Sequence, residues 1–355
     1  ILTRFAETTY DEMMSAVNNL KQQGMKRMIL DLRGNPGGYL TQAYKIADEF
    51  IPGGNMIVYT KGRRPEFDES YTSSEGGTLE DIPLIVMVNA GSASASEIVS
   101  GAIQDLDRGL VVGTTSFGKG LVQRQYELED GASFRLTISR YYTPSGRSIQ
   151  RPYKDKDVAA YRNLVGRLEL EEGANVEHSF EKLKKDEKNK DAKDKDKINF
   201  DSIKTYKSKA GRMLLGGGGI TPDFIVKGDT SRLTKMVSKV GYSVYNEIAN
   251  DYLHTDEGAK FKEKYKNNFT DFLRNYEIPK SIYNLYKEVL KAKKIDWVQD
   301  DFDKDKDFID MFIKRRIARI IWDRNKDAQI FSTIDRQLTK AVALFPESEK
   351  VRKMK

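Results

Sequence analysis

The stretch Asn89–Gln123, NAGSASASEIVSGAIQDLDRGLVVGTTSFGKGLVQ, decides the reading of the chain. It follows Leu84-Ile85-Val86-Met87-Val88, a short, wholly apolar run of the kind that forms a strand buried on both faces. Asn89-Ala90-Gly91 breaks that strand. The small residues Ser92-Ala93-Ser94-Ala95-Ser96 then lead into Glu97-Ile98-Val99, Ala102-Ile103 and Leu106 at helical spacing. A serine at such a helix start has an accessible hydroxyl beside the unpaired N–H groups of the first turn. Those groups can hold an oxyanion, so the turn suits an acyl-transfer nucleophile; it equally suits a plain N-cap with small packing neighbours. On this stretch alone Ser92, Ser94 and Ser96 are equivalent.

Downstream, Leu110-Val111-Val112-Gly113 reads as a return strand, and after a Thr-Thr-Ser-Phe turn Gly118-Lys119-Gly120 sets one lysine between two glycines. Flanking glycines let the backbone come close to another group, which a solvated lysine does not require. The choice of base for a serine nucleophile is narrow. There is no cysteine, and the two histidines, His178 in a charged stretch and His254 in the C-terminal helical region, lie far from the apolar α/β part. No HExxH motif points to zinc. A lysine working as base near neutral pH needs its pKa brought from about 10.4 to about 7–8, at a cost of roughly 4 kcal/mol. Gln123, four residues beyond Lys119, can hold a neutral amine through an uncharged hydrogen bond.

Asn89, Ser92 to Glu97 and Gly118-Lys119-Gly120-Leu121-Val122-Gln123 together resemble the signature of the C-terminal processing (tail-specific) peptidases, the S41 serine peptidase family. Ile29-Leu30-Asp31-Leu32-Arg33-Gly34-Asn35-Pro36-Gly37-Gly38 upstream supports the resemblance. So do Tyr141-Tyr142-Thr143-Pro144-Ser145-Gly146-Arg147 and Gly219-Ile220-Thr221-Pro222-Asp223 downstream. The resemblance implies Ser94 as nucleophile, Lys119 as general base, Gln123 as its orienting partner, and an oxyanion hole from the N–H groups of Ala95 and Gly38. It also implies an α/β core related to the crotonase and Clp-peptidase folds, a protein or peptide substrate cleaved near its C-terminus, no metal or organic cofactor, and a bacterial periplasmic or cell-envelope location. A PDZ domain usually precedes the core in this family; none is recognisable here. Ile1 is not an initiator methionine, and a fragment or processed form is expected.

Working outward, Tyr10 to Gln23 carries Met13, Met14, Val17 and Leu20 on one helical face and ends at Gly24. Met28 to Leu32 reads as a strand, and Asn35–Gly38 reads evenly as an ordinary turn or as a presenter of N–H groups. A helix over Leu40–Phe50 and a strand over Met56–Thr60 continue an alternation that, up to Asp107, argues for parallel pairing. Asp105, eleven residues past Ser94, lies about 16 Å along the helix, too far for contact with the nucleophile, and is expected in a structural ion pair. Phe134–Thr143 alternates as a half-buried strand. These features place a catalytic core over residues 1–150.

Residues 151–205 read as a charged insertion, with Glu181–Lys197 almost wholly Lys, Asp, Glu and Asn. Tyr206-x4-Gly211-Arg212 repeats the spacing of Tyr141-x4-Gly146-Arg147, so 206–227 is expected to return the chain to the core. Gly216 to Gly219 reads as a turn, lacking the Lys-Ser/Thr of a P-loop. From 228 to 355, apolar residues at helical period describe a C-terminal helical domain. There Asp301, Asp303 and Asp305 read as helix caps rather than a calcium loop. Lys314-Arg315-Arg316 with Arg319 reads as a basic face, solvated by default and otherwise a candidate for membrane-surface association or a partner protein, and the C-terminal helices are a candidate homo-oligomer contact.

With 60 Lys and Arg against 53 Asp and Glu, the net charge of +7 is mixed rather than uniformly basic, and no nucleic-acid-binding motif accompanies it. Two other classes compete with the peptidase. A catalytically silent or latent scaffold would bind chain termini in the same cleft, and a crotonase-like acyl-CoA enzyme would need a CoA-phosphate motif that is not evident.

Overall fold

In the computed structural model, which describes residues 1–151, 170–188, 203–228 and 233–354, the apolar run is the second strand of a parallel sheet. Its strands are β1 (Met28–Asp31), β4 (Leu84–Val88), β5 (Leu110–Gly113) and β10 (Phe224–Ile225), in the order β1-β4-β5-β10. All five residues of β4 are buried, with Ile85 facing Ile29 on one side and Leu110 on the other. Helix α1 (Thr9–Gln22) buries Met13 and Val17, and α2 (Leu40–Asp48) packs on α3 (Ala95–Asp105), every residue of which is buried. Each buried aliphatic side chain of this layer contributes about 1.5–3 kcal/mol.

The second sheet departs from the expected parallel pairing. Strands β2 (Met56–Gly62), β3 (Ser70–Thr72), β6 (Leu121–Glu127) and β7 (Ser133–Tyr142) lie in the order β3-β2-β7-β6, antiparallel throughout. Alternation along the chain predicts that β2 exists but not which sheet it joins. Its partners are set by the short return to β3 and by pairing of Tyr59 with Tyr142, whose rings stack 5.2 Å apart.

The echoed motifs converge on the end of α3. Arg147 pairs with Asp105, and its guanidinium also donates to Gln104 Oε1 (2.8 Å) and Leu215 O (3.0 Å). Arg212 donates to Asp107 Oδ1 and Asp223 Oδ1, both at 2.6 Å, while Asp223 Oδ2 accepts from Val111 N–H at 2.7 Å. These contacts fasten the hairpin of β8 (Thr205–Lys207) and β9 (Met213–Leu215) to the core. Of the charged stretch, Glu181–Lys188 continues the helix Val176–Lys188, which buries Val176 and Phe180; 189–197 lies outside the described residues, as do 152–169.

The chain divides into two units, Ile1–Gly228 with Thr339–Lys355, and Asp229–Leu338. A single helical block from 228 to 355 is therefore not what forms. Helix Phe345–Arg352 packs on β4, and Ser348, fully buried, donates to Leu84 O at 2.7 Å. In the second unit, helices between Lys235 and Ser332 bury Ile248, Phe272, Tyr286 and Ile313, with Phe261 and Tyr276 ring centroids 4.7 Å apart. Asp301 and Asp305 do cap a helix, though not their own: they accept from Met236 N–H (2.9 Å) and Thr234 N–H (2.8 Å) at the start of Lys235–Ser238.

Candidate active site

The loop between β4 and α3 separates the three serines by environment. The Ser92 hydroxyl, fully buried, donates to Leu32 O at 2.8 Å, and the Ser96 hydroxyl, also fully buried, donates to Asn35 O at 2.9 Å. Both are framework. Ser94 is half-buried and sits at the N-cap of α3 with φ +56° and ψ −113°. That is a left-handed conformation costing a residue with a Cβ about 1–3 kcal/mol, kept only where the surroundings impose it.

The surroundings are specific. Asn35, fully buried, accepts at its carbonyl from Ala93 N–H (3.0 Å), donates from its side chain to Leu2 O (2.8 Å) and accepts Gly37 N–H on Oδ1 (2.9 Å). This draws the Asn35–Gly38 turn against the start of α3 so closely that a Cβ on Gly37 would lie 2.8 Å from Ser94 Cβ and 2.9 Å from Ala95 N. Gly38, at φ +152°, bridges to Phe5, whose carbonyl a Cβ there would meet at 2.0 Å. Of the two glycine amides, that of Gly37 is taken by Asn35. Among the described residues, neither the Gly38 N–H nor the Ala95 N–H has an acceptor. One unpaired donor is therefore at the N-terminus of a buried helix, whose dipole favours negative charge, and the other is in the turn packed against it.

Lys119 lies in the loop from β5 to β6, and its backbone is tied to Ser94 through one carboxylate. Glu97, fully buried on the first turn of α3, accepts four hydrogen bonds. They come from Ser94 N–H (2.8 Å) and Lys119 N–H (2.8 Å) on Oε2, and from Ser116 Oγ (2.5 Å) and Gly118 N–H (2.6 Å) on Oε1. Burial pushes its pKa up, and those four donors pull the other way. The loop is held from other sides as well: Phe117 N–H donates to Ser92 O (2.9 Å), and Ser116 exchanges hydrogen bonds with the backbone of Ile220. Gly120 N–H donates to Gln150 Oε1 at 2.9 Å.

The lysine ammonium itself makes no hydrogen bond to Ser94 or Gln123 among the described residues. Gln123 is exposed on β6 opposite Thr137, just past an irregularity in the register with β7. Ser94, Ala95, Gly38 and the Lys119 backbone are thus brought together; the Lys119 amine and Gln123 are not drawn onto the serine. Glu97 and Asn35 were not singled out from the sequence. A Glu three residues after a serine N-cap is a signal that could have found Glu97; nothing in the sequence marks Asn35 as buried.

The expected basic face is drawn partly inward, with Arg319 still exposed. In the second unit Arg315 Nε lies 2.5 Å from Asp327, Arg316 and Arg319 share the same carboxylate at 3.5 and 3.7 Å, and Lys314 is half-buried over the Tyr276 ring. No helix among the described residues is long and apolar enough to cross a membrane.

Residues 1–160 match the family model described as peptidase family S41, and residues 240–323 match a family of unknown function, DUF8443. The chain is 43% identical over 153 residues to the carboxy-terminal-processing protease of Bartonella bacilliformis, covering 42% of this chain and 35% of that protein. It is 45% identical over 148 residues to the carboxyl-terminal-processing protease of a Synechocystis strain, covering 42% and 34% respectively. Among solved structures it is similar to a photosystem II D1 C-terminal processing protease, with 33% identity, coverage of 42% of this chain and 38% of that one, and a TM-score of 0.39. The match thus spans about a third of the length of these curated relatives.

Proposed function

We propose, for a chain whose residues 1–160 belong to peptidase family S41, that it is a serine endopeptidase cleaving protein substrates near their C-terminus, with Ser94 as nucleophile and Lys119 as general base. The observation that carries this reading is the conformation of Ser94. It is held at φ +56° at the start of a buried helix, against the Asn35–Gly38 turn, by the carboxylate that also holds the Lys119 backbone.

In the proposed reaction Ser94 Oγ attacks the peptide carbonyl carbon while its proton passes to the Lys119 amine. The oxyanion rests on the Ala95 and Gly38 amides, which are worth about 2.7–4 kcal/mol each where such a donor has been removed from a preorganised site. Collapse breaks the C–N bond, and Lys119 gives the proton to the leaving amine. Water then attacks the acyl-enzyme, its proton going to Lys119 and on to Ser94 as the acid leaves. Gln123 orients the lysine in this reading after the side chains close on substrate.

A latent form of the same site is the second reading, favoured by the Lys119 amine standing free of Ser94; hydrogen bonds of this kind commonly tighten only with substrate bound. A homo-oligomeric or partner contact through the C-terminal helices and a bacterial periplasmic or cell-envelope location also belong to the proposal. Size-exclusion chromatography with light scattering and fractionation of the source cells test them. The central test is digestion of an unfolded, apolar-tailed protein by wild type and Ser94→Ala, followed by mass spectrometry. Cleavage confined to wild type is expected; cleavage retained in Ser94→Ala would overturn the assignment.

A further inference from the structure

Tyr141, 2% exposed on β7, holds the Lys119-Gly120 segment at two points. Its backbone N–H donates to Gly120 O at 3.0 Å, and its hydroxyl donates to Lys119 O. Its ring lies in the apolar core of the first unit with Val99, Ile103 and Ile149, so the hydroxyl is delivered from a rigid base. Lys119 N–H is meanwhile held by Glu97 at 2.8 Å. Both ends of the lysine residue are therefore gripped by side chains that are themselves buried, and the amine moves only through its own side-chain torsions.

We propose that Tyr141 is a positioning residue for the Ser94–Lys119 pair, its hydroxyl orienting the lysine peptide so that the amine can reach the serine. This rests on the peptidase reading above. Burial, and then the Glu97 charge, push the phenol pKa well above its ordinary value, with the Ser94 hydroxyl acting the other way. The phenol thus stays a neutral donor wherever the peptidase would work. Its single proton is committed to Lys119 O. Lys119 lies between two glycines, so without the phenol its carbonyl loses a restraint where the chain is least stiff.

The test is Tyr141→Phe in the full chain, which removes the hydroxyl and keeps the ring. Misplacement of a catalytic group by about 1 Å costs on the order of 10²-fold. The expected result is a folded protein whose kcat on a peptide substrate falls by about that factor with KM near the wild-type value, and whose kcat/KM–pH midpoint is displaced. In a Lys119→Ala background the same change should leave the rate of Ser94 labelling by a fluorophosphonate unaltered, because the lysine through which Tyr141 acts is gone. A wild-type kcat and pH midpoint, an equal fall with Lys119 absent, or loss of fold by circular dichroism would each overturn the positioning role. Absence of cleavage and of labelling in wild type would instead remove the peptidase reading, and this inference with it.

Discussion

Glu97→Gln is the most discriminating perturbation of this site. The carboxylate is fully buried and each oxygen accepts two donors, Ser116 Oγ and Gly118 N–H on Oε1, Ser94 N–H and Lys119 N–H on Oε2. Glutamine offers one oxygen and one NH2 group: an NH2 on the Oε2 side faces both the Ser94 and Lys119 N–H donors, and one on the Oε1 side faces Gly118 N–H while the Ser116 hydroxyl can turn to accept from it. Leaving a buried donor unsatisfied costs about 1–3 kcal/mol, so one or two such donors cost roughly 1–6 kcal/mol, reduced by the relief of no longer burying a charge. Guanidinium unfolding followed by a probe in the first unit measures this. The pH dependence adds a signed test. The folded-state pKa of Glu97 is raised by burial, so its ionisation opposes folding: its contribution becomes more favourable as pH falls through that pKa and levels off below the unfolded value. Glutamine does not titrate, so the stability difference between wild type and Glu97→Gln should widen on acidification from neutral pH. A variant within about 0.5 kcal/mol of wild type, or a difference that narrows as pH falls, would refute the reasoning.

Other expectations follow from the same contacts. Gly37→Ala places a Cβ 2.6 Å from Ala93 O and 2.8 Å from Ser94 Cβ at φ +94°, so the serine must shift and kcat should fall by about 10²-fold with the protein still folded; unchanged turnover would mean the turn yields freely. Asp105→Ala leaves Arg147, 1% exposed, without its carboxylate and should cost about 3–5 kcal/mol in denaturant unfolding. The folded fraction of that variant should keep wild-type kcat, and a selective loss of kcat would give Asp105 a role in the chemistry. Lys119→Ala should abolish turnover with the unfolding midpoint unchanged, whereas substantial remaining activity would exclude the lysine as base.

How far the site was legible differs from residue to residue. The position of Asp105, three turns from Ser94 on one helix, follows from helical rise alone, and the aspartate is found on Arg147. The repeat of Tyr-x4-Gly-Arg foretold only that 206–227 returns to the core; that Arg147 and Arg212 bind alternate aspartates at the end of α3 came from the structure. Ser94 was singled out only through a family resemblance, because three serines at alternate positions carry no local difference. Burial supplies that difference, engaging the Ser92 and Ser96 hydroxyls with carbonyls of another loop. The basic run Lys314–Arg319 misled for the opposite reason. Its period was read correctly, but Asp327, which collects three of its arginines, lies on the next helix.

What the sequence determined by itself is local and periodic: the buried strand Leu84–Val88, the helix that follows, the glycine turns, and an α/β core followed by helices. Hydrophobic period and backbone permissiveness act over a few residues, so they are written in a few residues. What only the tertiary structure decided is which distant groups share a donor or an acceptor. Glu97 gathers Ser94 and the Lys119 loop, Asn35 draws Gly37 onto the nucleophile, β2 joins the antiparallel sheet, and Ser348 reaches Leu84 across most of the chain. A buried polar group must find its partner wherever folding brings one within about 3 Å, and sequence separation places no limit on where that is.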